Sequence, residues 1–231
     1  MLRKGYIEQQ VKALGQVLAR LLKVTEEAGA AAALTEANAA GRSLAGMNLD
    51  TLAGLPEPTL LALFTAHDGA FDAGKCLVTA ALLAEQSDLR AALGQIEASH
   101  VSRHKALLLL AHALVREERL RAHPTVHEIA GGLLDKMGGD AVSDGLWGIH
   151  AARIHESIGA FGKAEDALLA LQDNGFPGAA REARAFYGRL LRLPDDELAR
   201  GGLPRDEVEE GLTALGPLSP PDGGGPIRHT P

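Results

Sequence analysis

Hydrophobic residues recur along the chain at steps of three and four, the spacing that places them on one face of an α-helix. The first segment, residues 3–27, shows this best, and Gly29 marks a turn after it. The apolar stripe of this segment consists of Ile7, Val11, Leu14, Val17, Leu18, Leu21 and Leu22. No stretch alternates apolar and polar residues for long enough to predict a β-strand, and β-branched residues are sparse. The pattern therefore predicts an all-α protein.

Turn and cap signals divide the next part of the chain into further helices. An alanine-rich segment, residues 30–40, is predicted as a second helix that Gly41 and Gly46 end. Asn48 and Asp50 supply cap chemistry for a short helix, and another is predicted from Pro56 to about residue 67. A helical hairpin is predicted from residue 71 to residue 96, with its turn at Ser87-Asp88.

A second helical hairpin follows a helix that begins at His123-Pro124 and that Gly138-Gly139 ends. Its two helices meet at Gly159-Ala160, and Pro177 follows the second one. Large, small and large apolar residues at these spacings approximate a tetratricopeptide hairpin, although the second helix is displaced by one residue from that pattern. The apolar positions are Trp147, Ala151, Ile154 and Ile158 in the first helix, and Phe161, Ala164, Leu168 and Leu171 in the second.

Similar turn-and-alanine signatures recur at irregular spacing, at Ala33, Ala92, Ala130 and Ala164. They predict stacked antiparallel helical hairpins in one degenerate tetratricopeptide-like array over residues 1–215, with the clearest hairpins in residues 100–193. A core like that of a four-helix bundle is the alternative architecture. Residues 216–231 contain nine Gly or Pro among sixteen residues, a composition that predicts a disordered tail.

Charge and hydropathy exclude several classes of partner. The net charge of −7 and the pI of about 5.7 oppose nucleic-acid binding by the molecule as a whole. Arg116, Arg119 and Arg121 lie close together but are interleaved with two glutamates, so we interpret them as a solvated helix face, with nucleic-acid binding near Arg116 as the alternative. No apolar stretch is long enough for a secretory signal or a membrane span, which predicts a cytoplasmic protein without a membrane partner.

The candidate chemistry is limited to histidines and one cysteine. His100 and His104 are four residues apart, the spacing that lets one helix present two imidazoles to a metal ion. They share a helix side with apolar residues, so we interpret them as packing histidines, with a metal-binding enzyme or sensor as the alternative. Cys76 lies among apolar residues and is predicted to be a buried packing residue.

Motifs that would assign catalysis are missing from the sequence. The glycine pairs match neither a phosphate loop nor a dinucleotide fingerprint, and no nucleophile elbow is present. We therefore assign no catalytic, cofactor-binding or metal-binding residue and expect no cofactor. The late aromatic residues Trp147, Phe161, Phe176, Phe186 and Tyr187 are predicted to anchor a C-terminal core.

Three segments within residues 1–94 carry a family resemblance. They are MLRKGYIEQQVKALGQVLARLL, GMNLDTLAGLPEPTLLALF and GKCLVTAALLAEQSDLRAAL. They resemble a family of bacterial helical proteins of unknown function with tetratricopeptide-like character. The chain departs from that pattern at Gly5, where an acidic residue is expected, and in the alanine-rich turn at residues 28–33. The resemblance implies a helical fold and a bacterial origin, and it supplies no catalytic residue.

A nearly continuous series of amphipathic helices without catalytic motifs predicts a non-catalytic scaffold. Its grooves would receive a protein or peptide partner, or an uncovered apolar face would support self-association into a homo-oligomer.

Overall fold

The computed structural model of the protein describes residues 2–137 and 145–216, which form eleven α-helices and one short 3₁₀ helix. Within these ranges no strand is present, and the pair Thr65 and Phe71 forms an isolated antiparallel bridge. In chain order the helices are α1 (Leu2–Leu44), α2 (Leu49–Gly54), α3 (Glu57–Ala62), α4 (Ala73–Ala92), α5 (Ile96–Arg116), the 3₁₀ helix (Glu118–Ala122), α6 (Pro124–Asp135), α7 (Gly145–Ser157), α8 (Phe161–Asp173), α9 (Ala179–Leu190), α10 (Asp195–Arg200) and α11 (Arg205–Ala214). The all-α prediction is confirmed.

The first helix is interrupted where the sequence predicts a turn. Gly29 has φ 82° and ψ 172°, a conformation that only glycine adopts readily, so α1 consists of two helical segments joined there. The second segment runs past Gly41 to Leu44 and is longer than predicted. A Cβ at Gly41 would lie 2.8 Å from Leu49 Cδ2, so this glycine allows α2 to approach α1 closely.

The two short helices that follow begin as predicted but differ in length. Asn48 caps α2 by accepting a hydrogen bond from the Thr51 amide at 2.7 Å. The helix predicted from Pro56 to about residue 67 was too long, because α3 ends at Ala62. The chain then turns through Gly69, whose φ is 80°, and returns to α4.

A long antiparallel pair, α4 and α5, forms the centre of the N-terminal part. The turn predicted at Ser87-Asp88 is wrong, since α4 continues to Ala92 and the turn falls at Gly94, where φ is 73°. Ser87 Oγ lies 3.0 Å from Ser99 Oγ, and Asp88 pairs with Arg103 at 3.3 Å. Ser87 and Asp88 therefore interact with side chains of the facing helix instead of capping the end of a helix.

Buried side chains form two hydrophobic clusters that meet at α7. The first cluster joins α1 to α6 and includes Ala151 and Ile154 of α7. The second joins α7 to α11 and includes Ala152. Helix α7 packs against both α5 and α8, so it connects the two clusters.

The C-terminal helices agree with the sequence pattern at their turns. Gly159 has φ 77° between α7 and α8, and α10 and α11 follow Pro194 and Pro204. Three of the predicted aromatic anchors, Phe161, Phe186 and Tyr187, are buried in the second cluster. Phe176 packs on it partly buried, and Trp147 packs instead against the first cluster.

Two predicted features lie outside the described residues: the helix end at Gly138-Gly139 and, except for residue 216, the tail at 216–231. Across the part of the chain that the structure describes, no helix is both long and apolar enough to cross a membrane.

Candidate functional site

A groove of about 900 Å³ lies between two groups of helices. One wall is the C-terminal half of α5 with the 3₁₀ helix, and the other combines α7, α9 and α10. The lining residues are Ala111, His112, Val115, Arg116, Glu118, Arg121, Ala122, Arg153, Glu156, Ser157, Ile158, Gly159, Phe161, Glu182, Arg189, Leu190, Leu193 and Glu197. The groove therefore lies where the two hydrophobic clusters adjoin.

Apolar side chains form part of the groove surface. Val115 in the last turn of α5 is 53% exposed, whereas the neighbouring Ala113 and Leu114 are fully buried in the core. Phe161 and Leu190 reach the groove from the second cluster. Val115 is thus an apolar residue that the fold leaves in contact with solvent, inside the groove.

Ion pairs link the helices of the opposite wall. Arg153 contacts Glu182 at 3.2 Å, and Arg189 holds Glu156 through two hydrogen bonds of 2.6 and 2.7 Å. The bond with Glu156 raises the pKa of Arg189 above its usual value. Because these groups are partly exposed, each pair adds little stability, on the order of 1 kcal/mol or less. Both pairs join α7 to α9.

The three arginines predicted to share one basic helix lie on two elements. Arg116 ends α5, where its guanidinium lies 4.6 Å from the Phe71 ring centroid and contacts His112 Nδ1. Arg119 and Arg121 belong to the 3₁₀ helix. Arg121 Nε donates a hydrogen bond to the Leu114 carbonyl at 3.0 Å. The three arginines therefore do not share one helix.

Three imidazoles form a row between α5 and α7, at one side of the groove. The His150 ring centroid lies 6.0 Å from that of His104 and 6.5 Å from that of His112. His104 and His112 are eight residues apart on α5, which corresponds to about 12 Å along a helix. His150 therefore lies midway between them, and His112 brings the row to the groove.

Burial controls the charge of these imidazoles. His150 is 5% exposed, and burial followed by neighbouring positive charge lowers its pKa to about 3. The pKa of His112 falls to about 4 through burial and the nearby guanidiniums of Arg116 and Arg153. Both rings are consequently neutral at neutral pH.

His100 and His104, the pair with metal-ligand spacing, have different surroundings. His100 is exposed, with its ring centroid 6.2 Å from that of Trp147. His104 is half-buried, stacks on Trp147 at 5.4 Å and places Nε2 3.3 Å from Glu57 Oε1. Within residues 2–137 and 145–216, no group of three or more His, Cys, Asp or Glu is arranged to hold a metal ion. His104 is thus partly buried, as the packing interpretation expects, whereas His100 is exposed.

Cys76 is fully buried, as predicted, and its Sγ donates to the Leu109 carbonyl at 3.3 Å. Burial raises the pKa of this thiol far above its usual value. The side chain therefore packs as a neutral thiol.

Sequence reasoning missed the groove and two of the three imidazoles in the row. His112 interrupts an apolar run, and its eight-residue spacing from His104 was the available signal that both face one side of α5. Nothing in the spacing of His150 connects it with α5, because that contact depends on how α7 packs.

Comparison with known proteins assigns the chain to a family of unknown function. The model of a family of unknown function, DUF6483, matches residues 1–218, which extends well beyond the N-terminal 94 residues that carried the resemblance. No curated protein matches the chain. No solved structure matches it either.

Proposed function

Because this chain belongs to a family of unknown function (DUF6483), we propose its function from the groove: it is a non-catalytic interaction module that receives a segment of a protein partner between α5 and α7–α10. The observation that carries this proposal is the exposed apolar side chain of Val115 within a groove that charged side chains surround.

The composition of the groove favours a protein partner. Protein interfaces combine an apolar centre with a polar rim, and arginine is enriched in them. Here Val115, Ile158 and Leu193 supply apolar surface, while four arginines and four glutamates supply side chains of both signs. The charged lining residues are Arg116, Arg121, Arg153, Arg189, Glu118, Glu156, Glu182 and Glu197.

The helical arrangement also suits an interaction module. Helices α7, α8 and α9 pack consecutively, and the apolar spacing of α7 and α8 approximates a tetratricopeptide hairpin. We infer a tetratricopeptide-like scaffold that acts in the cytoplasm of a bacterium. The sequence resemblance and the lack of a membrane-crossing helix among the described residues support this inference.

Substitution of Val115 by glutamate is expected to weaken partner binding roughly 30-fold or more, because a charge replaces an exposed apolar side chain of the groove lining. The measurement is affinity capture from the native host with tagged wild-type protein, followed by a dissociation constant for each purified partner. The matched control is Leu169→Glu, since Leu169 on α8 is 43% exposed and does not line the groove.

The two variants separate groove binding from other effects. A partner that binds wild type and Leu169→Glu but not Val115→Glu supports the proposal, provided that both variants retain the wild-type helical signal. Equal binding of all three proteins would place the interaction elsewhere. A second copy of this chain is another occupant that the experiment detects, because self-association through the groove would make the wild-type mass larger than that of Val115→Glu.

A further inference from the structure

The central imidazole of the row between α5 and α7 lies in an unfavourable place for a charge. His150 is only 5% exposed, and neither ring nitrogen has a hydrogen-bond partner among the described residues. A buried polar group without a partner destabilises a fold, and a buried unpaired charge does so much more strongly. His150 therefore tolerates its position only as the neutral ring.

The groups that face His150 are basic. His104, Lys105 and His112 approach from α5, and Arg153 lies one turn along α7. Each of these groups disfavours a proton on His150 when it is itself charged. The α5–α7 interface consequently opposes protonation from both helices.

Neither end of the row, as far as the structure describes it, supplies a carboxylate that would stabilise a proton on His150. The Glu57 carboxylate on α3 lies 3.3 Å from His104 Nε2 and 3.9 Å from Lys105 Nζ, so it interacts with those two groups. At the other end, Arg116 contacts His112. Within residues 2–137 and 145–216, no acidic side chain is among the groups that act on His150 or His112.

Helix α7 carries a second histidine, His155, in addition to His150. His155 on α7 has a pKa lowered by burial and by Lys163 of α8, with Asp135 of α6 and Asp166 of α8 acting in the opposite direction. Its Nδ1 atom is also buried without a hydrogen-bond partner among the described residues. Helix α7 thus holds two imidazoles, those of His150 and His155, whose pKa values burial lowers.

We propose that this row makes the α5–α7 contact acid-sensitive, so that mild acid separates α7 and the helices after it from α5. Helix α7 supplies residues to both hydrophobic clusters. Protonation of His150 on this helix would therefore also affect the packing of the C-terminal helices. The proposal concerns the chain alone and does not depend on a partner in the groove.

The direction follows from proton linkage. In the packed state His150 and His112 have pKa values of about 3 and about 4, whereas an imidazole in water has a pKa of about 6.5. At a pH between these values the separated state binds more protons than the packed state. The population of the separated state therefore increases as pH falls below about 6.5. From pH 7 to pH 5 each of these imidazoles favours separation roughly 20-fold.

Hydrogen–deuterium exchange of the full chain at pH 7 and pH 5 tests this proposal, with rates corrected for intrinsic amide chemistry. Protection of α7 amides is expected to fall roughly 400-fold, because His150 and His112 each contribute roughly 20-fold, and that of the α4 amides around Leu82 far less. In His150→Leu the acid-induced loss in α7 is expected to shrink by roughly 20-fold, because His112 and His155 remain. His67→Gln is the matched control, since His67 is exposed on the α3–α4 loop.

Two results would overturn the proposal: pH-independent protection of α7 in the wild type, or the same acid-induced loss in His150→Leu as in the wild type. If His150→Leu does not fold, His112→Leu replaces it, and the same reduction in pH dependence is expected. A wild-type profile in His112→Leu would then refute the acid-sensitive contact.

Discussion

Substitution of Phe186 by alanine is expected to lower the free energy of unfolding by about 3–5 kcal/mol, the largest effect of a single side chain that we predict. Phe186 is 1% exposed in the second hydrophobic cluster, and its ring centroid lies 5.4 Å from that of Tyr187. Truncation removes buried apolar area and leaves a cavity that the neighbouring helices only partly fill. Urea denaturation followed by circular dichroism measures the change.

The control for this prediction is Leu169→Ala on the neighbouring helix α8. Leu169 is 43% exposed, so its truncation is expected to change stability by about 0.5 kcal/mol or less. A loss below about 1 kcal/mol for Phe186→Ala would show that the second cluster is not packed as described. Such a result would also remove the support for the groove wall that α9 provides.

Substitution of Gly201 by alanine is expected to destabilise the protein by about 2–3 kcal/mol through overpacking. A Cβ there would lie 2.1 Å from Phe161 Cδ2 and 2.8 Å from the Gly159 carbonyl oxygen. The Gly201 carbonyl also accepts a hydrogen bond from the Gly162 amide at 3.1 Å, which joins the α10–α11 turn to the start of α8. The ring and the backbone must therefore both move.

Gly188→Ala is the matched control for steric crowding. Gly188 lies within α9, and a Cβ there meets no atom within 4 Å. Because alanine has the higher helix propensity, this variant is expected to gain about 0.5–1 kcal/mol. Differential scanning calorimetry of both variants should show transition temperatures shifted in opposite directions. A neutral or stabilising Gly201→Ala would contradict the close packing of the two turns.

Local sequence signals predicted helices well where the structural cause is local. Gly29, Gly159 and the Asn48 cap mark helix boundaries through their own backbone or side-chain chemistry, and all three are found there. Ser87-Asp88 misled the prediction because serine and aspartate favour turns in isolation. Their partners, Ser99 and Arg103, lie on the facing helix, and only tertiary packing shows that they are used there.

The candidate site was less accessible to sequence reasoning for the same physical reason. The groove depends on α5 lying opposite α7, α9 and α10, and no spacing within one helix encodes that arrangement. His100 and His104 share one helix, so their spacing was visible, yet the structure separates an exposed ring from a half-buried one. The row that His150 completes brings together His104 and His150, which are 46 positions apart in the sequence.

Site-specific photo-crosslinking in the native host tests the interaction groove most directly. A benzophenone amino acid at position 115 would sit within the groove, and one at position 169 would sit on the exposed face of α8. The account predicts a discrete adduct with one protein partner at position 115 and none of that adduct at position 169. An adduct at position 169 alone, or no adduct at position 115 in cells that contain the folded protein, would contradict it.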